Sequence, residues 1–255
     1  MNRRRLENRT ALVTGGSRGL GRAIALRLGQ EGANVILSFR TQKAAAAEVI
    51  RQLSDMGRRA TAIQVDLTGA AHIGGFVDQI RSTLTAWQAG LDIAVPSAGI
   101  ITIAPFAEVS EESLDAQYQT NYKSVFFLLQ RLLPLVRDGG RIITIGSGTT
   151  HHAFAPLVAY APMKAAIEAL TFYLASSLGE RGITVNAVSP GALDTDFNGP
   201  LFEAMPGVPG YIAQQTALGR VGAPDDVAGV VAFLCSDDGR WITGHRVDVS
   251  GGFKL

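Results

Sequence analysis

Short apolar runs alternate with longer helical segments along the whole chain, and this alternation restricts the fold more than any other feature. The candidate strands are residues 10–14, 33–39, 60–65, 91–95, 140–146, 183–188 and 245–249. Runs such as Val35-Ile36-Leu37 carry no alternating polar residues, so both faces of these strands are expected to be covered. The sequence therefore predicts an α/β fold, with a doubly wound parallel sheet of about seven strands flanked by helices.

Three of the intervening helical segments have recognisable ends. They are residues 22–30 closed by Gly32, residues 43–56 closed by Gly57, and residues 111–137 led by Ser110 as N-cap. No linker, internal repeat or low-complexity segment interrupts the pattern. Residues 1–255 are therefore expected to form a single domain.

The composition excludes several classes of protein. Of the 255 residues, 47% are hydrophobic and 18% are charged, which is enough for a large core, and the net charge of +1 argues against a nucleic-acid or membrane-surface partner. No apolar run approaches the roughly 18 residues of a membrane span. Arg3-Arg4-Arg5 is expected to be a solvated tail, and Cys235 is expected to be a buried thiol in a reducing compartment. We predict no metal site, no disulfide and a cytoplasmic protein.

A glycine-rich turn follows the first candidate strand and precedes a helix. Glycines allow a tight turn and close approach of the backbone, while the helix N-terminus offers free N–H groups to a pyrophosphate. The turn therefore predicts a Rossmann-type dinucleotide site. Its expected binding residues are Gly15, Ser17, Arg18, Gly19, Leu20 and Gly21.

The end of the second strand bears on the choice of cofactor. An acidic residue there would bind the adenosine ribose of NAD, but this strand ends Ser38-Phe39-Arg40. Arg18 and Arg40 could instead clamp a 2′-phosphate. NADP(H) is therefore the preferred cofactor, and NAD(H) remains possible. Asp66 is placed either to meet the adenine edge or to cap the next helix.

Tyr160 and Lys164 stand four residues apart, so a helix would place them on one face. A charge about 4 Å from the phenol could stabilise its ionised form by about 4 kcal/mol, or roughly 3 pK units, and bring it near working pH. Pro162 must lie in the first helical turn, so the helix is expected to begin near Val158 or Ala159. The spacing alone also fits an amphipathic helix with a solvated lysine.

Several motifs occur together in one order. With the turn of residues 14–21, Asp66, Asn121, Ser147, the Tyr160/Lys164 pair and Pro190-Gly191, the chain resembles the short-chain dehydrogenase/reductase family from about residue 8 to residue 252. The resemblance implies four catalytic residues: Asn121, Ser147, Tyr160 and Lys164. It also implies a cofactor site that includes Ala98, Gly99, Pro190, Gly191, Leu193 and Thr195, together with Tyr160 and Lys164.

The resemblance assigns a role to each catalytic side chain. Tyr160 would exchange a proton with the substrate oxygen, and Ser147 would bind and polarise that oxygen. Lys164 would lower the pKa of Tyr160 and bind the nicotinamide ribose. Asn121 would hold a water that links Lys164 to solvent, although a packing amide is the simpler alternative. Thr195 would contact the nicotinamide carboxamide.

The chain departs from the family pattern at two places. Pro96-Ser97 replaces the usual Asn-Asn before Ala98-Gly99, which removes a backbone donor and two amide side chains and puts the bracing near the adenosine in doubt. Ser250-Gly251-Gly252 replaces the usual Asp-Gly-Gly. The second change is expected to affect packing more than chemistry.

Residues 192–215 are rich in apolar side chains, prolines and glycines and are expected to form a lid over an apolar or aromatic carbonyl compound. The substrate-binding residues are expected to be Ser147, His152 and Tyr160.

The sequence thus predicts an NADP(H)-dependent oxidoreductase that interconverts a small carbonyl compound and its alcohol. The alternatives are an NAD-dependent alcohol dehydrogenase and a non-catalytic nucleotide-sensing protein. The resemblance further implies a homotetramer or homodimer.

Overall fold

A computed structural model describes residues 5–255. Its strands are β1 (Thr10–Val13), β2 (Asn34–Phe39), β3 (Ala60–Gln64), β4 (Leu91–Val95), β5 (Val136–Ile145), β6 (Thr184–Pro190) and β7 (Arg246–Val249). They form a seven-stranded sheet in the order β3-β2-β1-β4-β5-β6-β7, and every pairing is parallel. The predicted doubly wound α/β fold is confirmed.

The helices connect these strands and cover both faces of the sheet. They are α1 (Gly19–Gln30), α2 (Lys43–Asp55), α3 (Ile73–Trp87), α4 (Glu111–Tyr118), α5 (Ser124–Leu132), α6 (Ala161–Leu178), α7 (Gly199–Ala204), α8 (Val208–Gln215) and α9 (Pro224–Cys235). Val13 and Leu37 pack on the face covered by α1, α2 and α9, whereas Leu12 and Ile36 pack on the face covered by α3, α5 and α6. The unbroken apolar runs are thus explained by burial on both faces.

The order of the strands locates the site. The chain winds outward from β1 to β3 on one side and from β4 to β7 on the other, so β1 and β4 lie side by side at the point where the winding reverses. The loops after their carboxyl ends diverge and leave a crevice, which is where open parallel sheets bind ligands. The glycine-rich turn follows β1 at this edge.

The predicted long helix over residues 111–137 is wrong in its interior and at its end. Ser110 caps α4 as expected, since its hydroxyl accepts a hydrogen bond from Ser113 N at 3.1 Å. Residues Gln119–Lys123 then form a π-helical turn, α5 ends at Leu132, and β5 begins at Val136. The π turn fits one extra residue into the helix, because the Asn121 side chain is held by the backbone of Ile100.

Two other local expectations are corrected. Helix α6 begins at Ala161 rather than at Val158 or Ala159, because residues Ala155–Leu157 form a separate 3-10 turn and Tyr160 is the N-cap. Pro162 lies in the first turn as predicted. Arg5 is not a solvated tail residue, since it pairs with Glu31 at 2.6 Å, while Arg3 and Arg4 lie outside the described residues. Within residues 5–255, no helix has both the length and the apolar character to span a membrane.

Candidate active site

The glycine-rich turn folds back tightly on itself. Gly15 and Gly19 have positive φ angles of 64° and 52°, which side chains with a Cβ adopt at a cost. A Cβ on Gly21 would lie well inside 3.0 Å of the Gly15 carbonyl oxygen, so that position has no room for a larger residue. The N-terminal turn of α1 is therefore brought directly against the carboxyl end of β1, with its backbone N–H groups facing the crevice.

One continuous cleft runs along this edge of the sheet, from the end of β2 to helices α7 and α8. It is lined by all the predicted site residues except Asn121. These are Gly15, Ser17, Arg18, Gly19, Leu20, Gly21, Arg40, Asp66, Ala98, Gly99, Ser147, His152, Tyr160, Lys164, Pro190, Gly191, Leu193 and Thr195. The turn and the Tyr160/Lys164 pair thus share a single cleft, as a dinucleotide bound along it would require.

Asn121 lies behind the wall of the cleft rather than in it. Its side chain is fully buried, donates to the Ile100 carbonyl at 2.9 Å and accepts from Ile100 N at 3.1 Å. A Cβ on Gly99 would lie 2.8 Å from Asn121 Oδ1 and 3.8 Å from Lys164 Nζ, so the amide and the ammonium flank the same glycine. This placement is compatible with a water between them and with a packing amide, so the catalytic role remains a prediction.

Tyr160 and Lys164 are both buried, with 6% of each residue exposed. Lys164 Nζ donates to the Ile145 carbonyl at 3.0 Å and lies 5.7 Å from the centre of the Tyr160 ring. Burial lowers the pKa of Lys164 to about 8, and the negative charge of Glu168 opposes this change. The lysine therefore remains largely protonated at neutral pH.

The pKa of Tyr160 is raised above its ordinary value. Burial is the main cause, a hydrogen bond with Ser147 acts in the opposite direction, and Glu168 raises the pKa further. The expectation that Lys164 brings this phenol near working pH is therefore not met in this arrangement. The phenol is held in its protonated form, which is the form that can donate a proton.

Ser147 lies two residues after the end of β5 and caps the short 3-10 turn Gly148–Thr150. Its hydroxyl accepts a hydrogen bond from Thr149 N at 3.2 Å and lies 2.8 Å from the Thr149 hydroxyl. With only 7% of the residue exposed, the hydroxyl is fixed by the turn and directed toward Tyr160. A strand end followed by a capped turn thus gives Ser147 a defined orientation beside the phenol.

The two expected cations lie at different places on the cleft, with Arg40 just after β2 and Arg18 in the glycine-rich turn. Arg40 is exposed on the cleft, and Arg18 Nη1 lies 3.4 Å from Asp196 Oδ2. Asp66 accepts a hydrogen bond from Thr68 N at 2.9 Å, which together with nearby Arg40 lowers the pKa of Asp66. The alternative in which Asp66 caps the next helix is wrong, because the N-cap of α3 is His72. Asp66 lines the cleft instead.

Aromatic and aliphatic side chains surround the far end of the cleft. Phe197 lies 6.0 Å from the Tyr160 ring, and Phe253 meets His152 edge to face at 5.7 Å. His151 is exposed and does not line the cleft. Further apolar or aromatic lining comes from Phe154, Leu157, Leu201, Val208 and Tyr211. Beside the phenol the cleft therefore presents a largely apolar surface.

Comparisons with known proteins identify the family. The sequence model described as enoyl-(acyl carrier protein) reductase matches residues 15–254. A short-chain dehydrogenase/reductase of Aspergillus aculeatus is 35% identical over 257 residues, which cover 97% of this chain and 96% of that protein. The chain belongs to the short-chain dehydrogenase/reductase family. This member is accordingly an NAD(P)-dependent oxidoreductase that acts on a small molecule.

Two further relatives of this short-chain dehydrogenase/reductase have names that describe their activity. A hydroxynaphthalene reductase-like protein of Metarhizium brunneum is 36% identical over 266 residues, covering 98% of this chain and 96% of its own. The solved structure of the angucycline C-6 ketoreductase LanV with bound NADP is 40% identical, with a TM-score of 0.93 and coverage of 98% of this chain and 97% of that one.

The Pro96-Ser97 departure is accommodated without the two missing amides. The Thr14 hydroxyl accepts a hydrogen bond from Ala98 N at 3.0 Å, and Thr14 N donates to the Val95 carbonyl at 3.1 Å. A Cβ on Gly15 would lie 3.0 Å from Ala98 Cα, so the two loops remain in close contact. In this short-chain dehydrogenase/reductase, the Thr14 hydroxyl supports the wall of the cleft at Ala98. It supplies a hydrogen bond in a place where Pro96 and Ser97 have no amide side chains to do so.

The sequence analysis missed several residues of the site. Thr14 belongs to the recognised turn, and its hydroxyl could have been proposed as a brace. Phe154 and Phe253 gave no signal, because a single aromatic residue in a loop reveals its surroundings only after folding. Phe253 follows Gly251 and Gly252, both with positive φ, and pairs in an isolated bridge with Thr216 after α8. The Ser250-Gly251-Gly252 segment therefore does affect packing, here of the substrate end.

Proposed function

We propose that this protein is a cytoplasmic NADP(H)-dependent oxidoreductase that interconverts an apolar or aromatic carbonyl compound and its alcohol. One observation carries the proposal: buried Ser147, Tyr160 and Lys164 lie in the same cleft as a turn built to bind a pyrophosphate. The NADP bound to the related angucycline ketoreductase supports the choice of cofactor. The buried Cys235 thiol, whose pKa burial raises to about 12, is consistent with a reducing compartment.

The residues of the cleft fit the cofactor. The N-terminus of α1 and the Gly15–Gly21 backbone would bind the pyrophosphate, Arg18 and Arg40 the 2′-phosphate, and Asp66 the adenine edge. Gly191 has no space for a side chain, since a Cβ would lie 2.9 Å from Ser250 Cα. It would therefore line the nicotinamide end closely, beside Thr195. When bound, NADPH supplies the hydride.

The side chains at the substrate end would bind the carbonyl oxygen and transfer a proton to it. Ser147 donates a hydrogen bond to the carbonyl oxygen and polarises it, and Tyr160 donates its proton to that oxygen as hydride arrives. The raised pKa of Tyr160 keeps the phenol protonated before reaction. Lys164, mostly charged below its pKa of about 8, stabilises the phenolate that forms. The apolar lining excludes water and strengthens these interactions.

The proposed function is tested by following NADPH consumption with a panel of ketones, quinones, sugars and 3-oxoacyl thioesters. We expect turnover of aromatic or other apolar ketones, in line with the cleft lining and with the names of the two reductase relatives. NADPH binding without turnover of any class would instead favour the non-catalytic nucleotide-sensing alternative. The replacement of the usual Asn-Asn by Pro96-Ser97 is the feature that favours that alternative.

Arg18 and Arg40 should set the preference for NADP(H) over NAD(H). Each charge-assisted hydrogen bond to the 2′-phosphate contributes roughly 1.5–3 kcal/mol, so Arg18→Ala with Arg40→Ala should weaken NADPH binding by at least tenfold and leave NADH binding unchanged. Fluorescence titration with both nucleotides measures this. Arg81→Ala is the control, because Arg81 is exposed on α3 and pairs only with Asp78. Equal or tighter NADH binding by the parent would favour the NAD-dependent alternative.

We also propose that residues 192–215 act as a lid. Helices α7 and α8 in this segment carry Leu201, Val208 and Tyr211 over the cleft, next to Phe197 on the preceding loop. NADPH together with a turned-over ketone should protect residues 195–215 from limited proteolysis. Cleavage at the same rate with and without ligands would contradict a closing lid.

We propose a homotetramer or homodimer, as in related members of the family. Helix α6 exposes Phe172 and Tyr173, which are 64% and 71% accessible, and Trp241 is 96% accessible. Large exposed aromatic residues of this kind commonly mark protein–protein interfaces. Light scattering on the purified protein should give the mass of two or four chains, and a monomeric mass would reject the proposal.

A further inference from the structure

Glu168 on α6 accepts hydrogen bonds from Ser189 and from Ser147 N, and it shares the single hydroxyl proton of Thr150 with the Ser147 carbonyl. Its Oε1 atom lies 2.6 Å from the Ser189 hydroxyl, 3.1 Å from the Thr150 hydroxyl and 3.4 Å from Ser147 N. Ser189 belongs to β6, Ser147 lies two residues after the end of β5, and Thr150 ends the turn after Ser147. One carboxylate oxygen therefore joins the carboxyl ends of two neighbouring strands to α6.

The Glu168 carboxylate closely fills the space beside Gly146 and Ser189. A Cβ on Gly146 would overlap both Glu168 Oε1 and Ser189 Oγ, so the carboxylate occupies the volume that a side chain at position 146 would need. Ser189 is fully buried, and Glu168 Oε1 is the partner of its hydroxyl. Burying a hydroxyl without a partner costs roughly 1–3 kcal/mol, so removal of the carboxylate would leave this part of the site unsatisfied.

The two strand ends that Glu168 joins have different proposed roles, because one would contact the substrate and the other the cofactor. Ser147, Pro190 and Gly191 all line the cleft. In the proposed reaction Ser147 would bind the substrate oxygen, whereas Pro190 at the end of β6 and Gly191 just after it would lie at the nicotinamide end. Hydride transfer requires the carbonyl carbon and the nicotinamide to be held about 3–3.5 Å apart, and errors near 1 Å can cost about a hundredfold in rate. The separation of these strand ends is therefore a determinant of rate.

We propose that Glu168 is a positioning residue for carbonyl reduction, which fixes Ser147 relative to the end of β6 through its hydrogen bonds. This inference rests on the proposed function and extends it to a residue that touches neither substrate nor cofactor. The negative charge of Glu168 also favours the protonated forms of Tyr160 and Lys164. The hydrogen bonds of the carboxylate, rather than its charge, carry the proposed positioning role.

Two substitutions at position 168 distinguish the loss of the hydrogen-bond acceptor from a general loss of folding. Glu168→Ala removes the acceptor and should lower kcat at least tenfold, with NADPH affinity within threefold of the parent. Glu168→Gln keeps a carbonyl oxygen for the three donors and should restore kcat to within threefold. Glu180→Ala, an exposed carboxylate just after α6, is the matched control. A Glu168→Ala protein with parental kcat, or a Glu168→Gln protein as slow as Glu168→Ala, would overturn the proposal.

A double-mutant cycle tests whether the effect passes through β6. If Glu168 acts through Ser189, the Glu168→Ala/Ser189→Ala protein should be no slower than Glu168→Ala alone, because both changes break the same link. Losses that multiply would show that the two residues act independently and would reject the link.

Amide hydrogen exchange gives a readout that does not depend on finding a substrate. The Ser147 amide donates to Glu168, so it should exchange at least tenfold faster in Glu168→Ala than in the parent or in Glu180→Ala. Unchanged exchange at Ser147 would overturn the positioning role whatever the activity. Absence of turnover by the parent, with the expected exchange pattern, would instead count against the proposed function.

Discussion

Replacement of Tyr160 by phenylalanine should lower kcat for carbonyl reduction by about a hundredfold to ten-thousandfold, the usual contribution of a general acid. The phenol is buried beside Ser147 as the proposed proton donor, and its pKa is raised by burial, so no solvent group can readily take its place. The change removes one oxygen and leaves the ring against Phe197. NADPH affinity and the melting temperature should therefore stay close to those of the parent.

Tyr173→Phe provides the matched control for this prediction. Tyr173 lies on the same helix but is 71% exposed and does not line the cleft. Its loss should leave kcat unchanged. Single-turnover measurements under saturating NADPH compare the two proteins at the chemical step. Residual kcat of Tyr160→Phe within tenfold of the parent would count against Tyr160 as the acid.

Replacement of Gly21 by alanine should produce the second large effect, this time on cofactor binding. The added Cβ would clash with the Gly15 carbonyl group. That group is part of the backbone and cannot rotate away as a flexible side chain could, so the turn must open. Overpacking of this kind costs about 1–3 kcal/mol, so NADPH affinity should fall by roughly tenfold to a hundredfold. The melting temperature should fall by several degrees, at about 2–4 °C per kcal/mol for a chain of this size.

Gly75→Ala is the control for the glycine substitution. Gly75 is an exposed residue in α3, and a Cβ there would meet nothing within 4 Å. Alanine should stabilise the helix by roughly 0.5–1 kcal/mol and leave NADPH binding unchanged. Titration of NADPH fluorescence and thermal unfolding measure both effects. NADPH affinity of Gly21→Ala equal to that of Gly75→Ala would mean that the turn does not approach the pyrophosphate.

The fold could be predicted because its signal is local and repeated. Each strand is a short apolar run buried on both faces, and each of the seven was found within a few residues of its place. The start of β5 was missed because Arg137, Asp138 and the two glycines after them look like a turn. They form an irregular stretch of the strand between Val136, which pairs with Leu91, and Arg141, which pairs with Ile93.

The site was predictable where its residues are close in sequence or stand in a recognised order. The glycine turn and the Tyr160/Lys164 spacing are of this kind. The partners of Glu168 and Phe253 lie 18 or more residues away in the sequence, so no local pattern marks these two residues. The pKa of Tyr160 was misjudged for a similar reason, because spacing gives the nearby charge but not the burial that opposes it.

The π-helical turn at Gln119–Lys123 has a consequence for how the chain can change in length. Loss of one residue from this segment would restore a regular α-helix and rotate everything before it by about 100° relative to α5. Asn121 would then turn away from Ile100, and the wall behind Gly99 would lose its support. Insertions and deletions should therefore be tolerated in the loop before Ser110 but eliminated by selection between residues 111 and 132. Over evolutionary time this helix pair would behave as a segment of fixed length.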